Sequence, residues 1–199
     1  MNEFFAAAAA DIERCRNHNT RSPWYTLAVI WHEVGLQAVL VYRFGRMLRS
    51  GQRNVGVWPL LPFGWLLYAL AAVIMRRCYG IRLALSAEIG KGFWIVHFGG
   101  IEVVNCRIGQ RCTVGQQTKV GRENDPDGPQ IGDAVLIGVH AQIMGPARVG
   151  SSVTIAPGAR VTLNVPENSL VVGDPARVVF RGYRNAAILP ATPQQPRAA

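Results

Sequence analysis

Cysteine, histidine and charged residues are all scarce in this chain. Its four cysteines show no CxxC spacing, so the sequence predicts neither a zinc finger nor a disulfide framework. We interpret Cys106 and Cys112 as small side chains that fill corners inside the fold. Charged residues make up 17% of the 199 positions, against 49% hydrophobic residues. A chain of this length can form one domain or two.

The positive charge is concentrated at the two ends of the chain. Of the net +9, residues 1–82 carry +6 (ten basic, four acidic), residues 83–174 carry −1 (seven basic, eight acidic) and residues 175–199 carry +4 (four basic, none acidic). No nucleic-acid motif accompanies this charge, so we expect contacts with an anionic membrane surface and with coenzyme phosphates, and none with nucleic acid. The acidic start and short apolar run predict no signal peptide.

An aliphatic residue recurs at steps of six in the second half of the chain, with one step of seven and one of eleven. The thirteen positions are Leu83, Ile89, Ile95, Ile101, Ile108, Val114, Val120, Ile131, Ile137, Ile143, Val149, Ile155 and Val161. This period fits neither a helix nor a single strand, and it is typical of a β-helix with one short strand per hexad. We predict a mainly β fold: a β-helix of roughly four coils over residues 81–180, an α-helical region over 1–80, and a largely disordered tail over 181–199.

Three helices are predicted before the β-helix. They cover Met1–Arg16, Trp24 to about Leu48, and Phe63–Arg77. The segment 55–75 has no charged residue and is flanked by arginines on both sides. Pro59 and Pro62 argue against a regular transmembrane helix, so we expect the segment to lie at a membrane interface. Burial in an oligomer and a true span are the alternatives.

Several segments resemble the hexapeptide acyltransferases. They are Ile131–Gly138, Ile143–Pro146 and Val171–Arg177. Gly35–Leu48 is similar to the helix that precedes the β-helix in serine acetyltransferases. The chain resembles the serine acetyltransferase-like branch, closest to the relatives that O-acetylate bacterial exopolysaccharides. The resemblance implies a left-handed parallel β-helix, a homotrimer and acetyl-CoA as co-substrate, with no metal.

His97 is the candidate general base. It follows Ile95 by two positions, so its side chain should project outward. Gly99 and Gly100 would let a substrate approach the backbone closely. Histidine can accept a proton from a hydroxyl near neutral pH. Serine acetyltransferases have their general base at the matching place, so the resemblance implies this role for His97.

The resemblance also implies a groove for coenzyme A between adjacent subunits. The expected donor-site residues are Gly121, Arg122, Val139, His140, Ala141, Pro157, Arg160 and Arg177. We interpret His140 as a groove wall two coils, or ~10 Å, from His97. Arg160 and Arg177 are candidates for the phosphates. The γ-carbonic anhydrases, which share this fold, hold zinc with three histidines, and the β-helix here has two.

Three features depart from the serine acetyltransferase pattern. Val96 and Arg82 stand where that family has aspartates, and the loop 122–130 lacks its histidine. Free serine needs charged partners for its amino and carboxylate groups. The sequence therefore favours, as acceptor, a sugar hydroxyl of a bacterial polysaccharide or its lipid-linked precursor, at the inner face of the plasma membrane in the cytoplasm. Serine O-acetylation and a non-catalytic trimeric membrane scaffold are the alternatives. The end at Ala199 predicts no binding to cysteine synthase, whose partners end in isoleucine.

Overall fold

The computed structural model describes residues 2–15, 22–51, 61–125 and 127–183. The helices are α1 (Asn2–Cys15), α2 (Pro23–His32), α3 (Val34–Gly51) and α4 (Leu61–Cys78). The strands are β1 (Ile81–Leu83), β2 (Glu88–Ile89), β3 (Trp94–Ile95), β4 (Ile101–Val103), β5 (Arg107–Ile108), β6 (Thr113–Val114), β7 (Lys119–Val120), β8 (Gln130–Ile131), β9 (Leu136–Ile137), β10 (Gln142–Ile143), β11 (Arg148–Val149), β12 (Thr154–Ile155), β13 (Arg160–Val161), β14 (Ser169–Val172) and β15 (Arg177–Arg181).

The strands stack into three sheets along the sides of a prism. The first sheet has the order β1-β4-β7-β10-β13, the second β2-β5-β8-β11, and the third β3-β6-β9-β12-β14 with β15 antiparallel at its end. All other pairings are parallel among the described strands, as in successive coils of one solenoid. The five strands of the first sheet correspond to five coils, one more than predicted. The predicted β-helix after a helical region is confirmed.

Each hexad sends two side chains into the prism. One is the aliphatic residue that ends the strand, and the other lies two positions earlier and is smaller in most hexads, as Ile143 and Ala141 show with 0% exposure each. Cys106 and Cys112 occupy this smaller position and are buried, as predicted. Full burial of one isoleucine contributes roughly 1.5–3 kcal/mol, so the repeated hexads supply most of the apolar stabilisation of the β-helix.

The first coil departs from the six-residue period. Val103, not Ile101, pairs with Val120 of the next coil, while Ile101 pairs with Ile81. The residue that continues the repeat after Ile95 is therefore Val103, eight positions later instead of six. The predicted register is wrong by two residues here. Because Ile101 and Val103 are both buried, their aliphatic character could not distinguish them. The two additional residues widen the corner that carries His97.

The helical region differs from the prediction in two places. The helix expected from Trp24 to about Leu48 is divided at Glu33, where α2 and α3 meet at 92°. Glu33 has φ −89° and ψ 90°, outside the helical region. Helix α4 begins at Leu61, two residues before the predicted start at Phe63. Pro62 fits in its first turn, because the N–H that proline lacks would have no hydrogen-bond partner there. The residues just before Leu61 lie outside the described residues, as does the predicted disordered tail 181–199 except for its first three residues, of which Arg181 ends β15.

A buried ion pair attaches the helices to the first coil. Arg43 Nε donates to Asp11 Oδ2 at 3.0 Å, and the Phe93 N–H donates to Asp11 Oδ1 at 2.9 Å. Arg43 also donates to the Ile89 carbonyl at 2.6 Å. Burial raises the pKa of the Asp11 carboxyl, and the Arg43 guanidinium opposes this rise. One network therefore joins α1, α3 and the backbone around β2 and β3.

Candidate active site

The corner between the third and first sheets carries both histidines of the β-helix. We call it the histidine corner: residues 96–100, 115–118, 138–141 and 156–158. Backbone hydrogen bonds stack its coils, since the Gln117 N–H donates to the Gly99 carbonyl at 2.7 Å and the His140 N–H to the Gln116 carbonyl at 3.0 Å. His140 therefore lies two coils from the glycine turn beside His97, or ~10 Å at the usual strand spacing.

His97 lies in the widened part of this corner, and its side chain is exposed. Gly99 and Gly100 follow with φ 110° and 66°, in the left-handed region that glycine tolerates. Next to His97, the Phe98 ring packs edge-on against Tyr79 at 5.9 Å between centroids, which connects the corner to the end of α4. No hydrogen bond to the His97 imidazole is found in the part of the chain that the structure describes. Solvent and substrate can reach its ring nitrogens.

The predicted donor-site residues at this corner differ in their exposure and in whether their backbone groups are free to bind a ligand. His140 is exposed with φ 60°, and Pro157 is exposed one coil further along. The Val139 carbonyl accepts from the Gly158 N–H at 2.8 Å. Ala141 is fully buried and its N–H already donates to the Gly138 carbonyl at 3.2 Å, so it shapes the corner and presents no free donor.

Gly121 and Arg122 lie at a different edge, between the first and second sheets. Gly121 has φ 76° and donates its N–H to the Ile143 carbonyl at 2.9 Å. With Glu102 and Lys119 of the first sheet, both residues line a polar groove of about 290 Å³. The first sheet separates this groove from the histidine corner within one chain. The two sets can line one site only if a second chain supplies one of them.

Arg160 and Arg177 come close together at the last coil. The Ala176 N–H donates to the Arg160 carbonyl at 3.0 Å, and Arg177 is the next residue. Both side chains are exposed, and neither forms an ion pair with a carboxylate of the residues described. Two free guanidinium groups at one end of the β-helix suit a phosphate-bearing ligand.

Arg82 belongs to an ion-pair network that the sequence did not reveal. It donates to Glu102 Oε1 at 2.8 Å and also to Glu123. The hydrogen bond that Arg82 donates to Glu123, and after it the one to Glu102, raises the pKa of the Arg82 guanidinium. Glu123 is 41 positions away in the chain, so only the coil stacking brings it near. The Tyr79–Phe98 contact was likewise missed, and the only available signal was the position of Phe98 next to His97.

A metal site is not formed by the described residues, among which no group of three or more His, Cys, Asp or Glu side chains could hold an ion. Acetyl transfer from a coenzyme to a hydroxyl requires a base, access of the hydroxyl to that base, and a binding site for the coenzyme. The histidine corner and the arginines at the last coil provide candidates for each of these within the described residues.

Comparisons with known proteins cover most of the chain. Residues 128–162 match a family model described as bacterial transferase hexapeptide (six repeats). Serine acetyltransferase 4 of Arabidopsis thaliana is 26% identical over 176 residues, which cover 85% of this chain and 45% of that protein, so the chain spans about half of its length. Serine acetyltransferase of Staphylococcus aureus (strain Mu50) is 31% identical over 158 residues, which cover 77% of this chain and 69% of the relative.

A solved serine acetyltransferase in complex with CoA shares the fold, with a TM-score of 0.71 at 23% identity over 89% of this chain and 70% of that one. The S. aureus relative adds 31% identity across more than two thirds of its length. The chain therefore belongs to the hexapeptide transferase family, among the homologues of the serine acetyltransferases.

Proposed function

We propose that the chain transfers the acetyl group of acetyl-CoA to a hydroxyl, and that L-serine is the acceptor its relatives support best. The observation that carries this proposal is the exposed His97 beside two left-handed glycines. Matched relatives are named serine acetyltransferases, and one solved neighbour holds CoA. None of the matches reported above is named an exopolysaccharide acetyltransferase.

His97 acts as the general base in this mechanism. A neutral ring nitrogen takes the hydroxyl proton while the hydroxyl oxygen attacks the thioester carbonyl. The C–S bond then breaks, and the CoA sulfur leaves and takes up the proton. General base catalysis of this kind typically contributes ~10²–10⁴-fold to the rate. No covalent acyl-enzyme is required.

The donor site is shared between chains in this proposal. Gly121 and Arg122 lie at one edge of the prism, and Val139, His140 and Pro157 lie at another. Side-by-side packing in a homotrimer would bring the two edges together around one coenzyme. Arg160 and Arg177 would then contact its phosphates. The predicted absence of a cysteine synthase partner stays a prediction.

A sugar hydroxyl is the second candidate acceptor. Arg82 stands where serine acetyltransferases were expected to have an aspartate, and its guanidinium is held by Glu102 and Glu123. Val96, at the other such position, has no charge. Both changes remove partners for the amino group of serine. Phe98, 56% exposed beside His97, offers an apolar surface on which a sugar ring can pack.

A CoA-release assay with purified protein tests the proposal. Acetyl-CoA is supplied with L-serine, with nucleotide sugars, with a lipid-linked oligosaccharide, or with no acceptor. Serine-dependent release of CoA is the expected result. Release with a sugar but not with serine would overturn the choice of acceptor and retain the acetyltransferase activity. No acceptor-dependent release together with no acetyl-CoA binding would overturn the activity itself and favour the scaffold.

A further inference from the structure

Helix α4 leaves one entire face without a partner among the residues that the structure describes. Large apolar side chains at helical spacing form this face, which we call the Leu66 face: Phe63, Leu66, Leu67, Leu70, Val73 and Ile74. Their exposure ranges from 41% at Ile74 to 70% at Phe63. A helix in the core of a soluble protein is mostly buried, whereas 6% of the apolar window of α4 is buried. A contiguous apolar face of this kind, uncovered by the described residues, is typical of a surface that binds a protein or a membrane.

The opposite face of α4 is packed against the protein. Tyr68 lies against Gly45 of α3, where an added Cβ would meet its ring at 2.5 Å. Trp65 points to this inner side and contacts Tyr68 edge-on at 5.7 Å. Among the described helices, α4 is the one that is long and apolar enough on its own to cross a membrane. Because α3 covers its inner side, lipid can reach only the Leu66 face.

The charges around α4 distinguish a lipid surface from a second copy of the chain. The helix has no acidic residue, and Arg76 and Arg77 are exposed in its last turn. A parallel copy would place arginines against arginines. An antiparallel copy would place them at the positive N-terminal end of the partner helix. Anionic lipid headgroups complement both arginines, and each contributes about fivefold to binding.

We propose that the Leu66 face docks on an anionic lipid bilayer, with α4 lying in the plane of the interface. Arg76 and Arg77 then lie in the headgroup layer. Helix α4 ends at Cys78, and the next residue, Tyr79, packs on Phe98 beside His97. Docking thus holds the histidine corner close to the headgroups, where a hydroxyl acceptor carried by a lipid can reach it. Only this last step rests on the proposed acetyl transfer, and it concerns the second candidate acceptor, a lipid-linked sugar, and not L-serine.

Vesicle flotation with the full chain tests the docking. The protein is mixed with vesicles of phosphatidylcholine alone, or with vesicles that also contain about 30% phosphatidylglycerol as the anionic lipid. Each mixture is measured at low and at high salt. We expect roughly 25-fold tighter binding to the anionic vesicles at low salt, from two arginines at about fivefold each. High salt should remove most of this difference and leave the apolar part of the binding.

Three variants separate the contributions. Leu66→Glu with Leu70→Glu should weaken binding to both vesicle types by roughly 100-fold or more, because two large apolar contacts are lost. Arg76→Glu with Arg77→Glu should weaken binding to anionic vesicles only. Leu163→Glu is the matched control, since Leu163 is 71% exposed on the β-helix and outside the Leu66 face. Unchanged melting temperatures show that each variant is folded.

Flotation of the wild type with neither vesicle type would overturn the proposal, as would equal loss in the Leu163→Glu control. A wild type that ignores vesicles and whose oligomer dissociates on Leu66→Glu with Leu70→Glu would identify a second copy as the occupant. A wild type that floats with neither vesicle type but transfers acetyl to a soluble acceptor would refute docking and leave the proposed function standing.

Discussion

Replacing Asp11 by alanine should destabilise the protein strongly, because it removes one partner of a buried ion pair. The Asp11 side chain is fully buried and that of Arg43 is 9% exposed. Asp11→Ala leaves the guanidinium without a counter-charge and the Phe93 N–H without its acceptor. Breaking such a pair costs ~3–5 kcal/mol. In a protein of this size 1 kcal/mol shifts the melting temperature by ~2–4 °C, so we expect a decrease of roughly 6–20 °C in calorimetry.

The ion pair between Glu88 and Arg107 is the matched control. Its N–O distance is also 3.0 Å, but its side chains are 53% and 72% exposed. Glu88→Ala should therefore cost ~0–1 kcal/mol, since solvent screens the pair. Replacing Asp11 by leucine together with Arg43 by methionine should recover much of the loss, because no charge is left buried. A decrease for Asp11→Ala no larger than that for Glu88→Ala would refute the reasoning.

Two further predictions concern the cysteines and the second histidine. Burial raises the pKa of the thiols to about 12 in Cys15 and Cys106 and to about 11 in Cys112. These thiols stay protonated at pH 8, so the native protein should show one fast-reacting thiol, the exposed Cys78, and four after denaturation; a second fast thiol would contradict the packing. His140→Ala should raise the KM for acetyl-CoA and leave kcat nearly unchanged, and a kcat loss as large as that of His97→Ala would contradict its assignment to the groove wall.

Most of the β-helix could be predicted because its core is periodic. Ile95, Val114 and Ile137 belong to the recurring aliphatic positions, and they pair as neighbours in the third sheet. The pattern could not choose between Ile101 and Val103, since both are aliphatic and both are buried. The widened corner at His97 therefore became visible only from the strand pairing.

Contacts between residues far apart in the chain could not be predicted from the sequence, for a different reason. Asp11 and Arg43 are 32 positions apart, and neither belongs to a repeat. Arg82 meets Glu123 only because coils stack in register. The break at Glu33 carries no proline or glycine, so the helical pattern ran through it. For the site, the histidine corner could be located from the hexads, whereas the roles of its residues stay predictions.

The catalytic role of His97 is tested most directly by the kcat of His97→Ala beside that of His32→Ala, a control at the exposed end of α2. Acetyl transfer is followed as CoA release, and acetyl-CoA binding is measured by calorimetry on the same samples. We predict that His97→Ala lowers kcat by ~10²–10⁴-fold with acetyl-CoA affinity retained, while His32→Ala leaves both unchanged. A kcat within a few-fold of the wild type in His97→Ala would contradict the assignment of the general base.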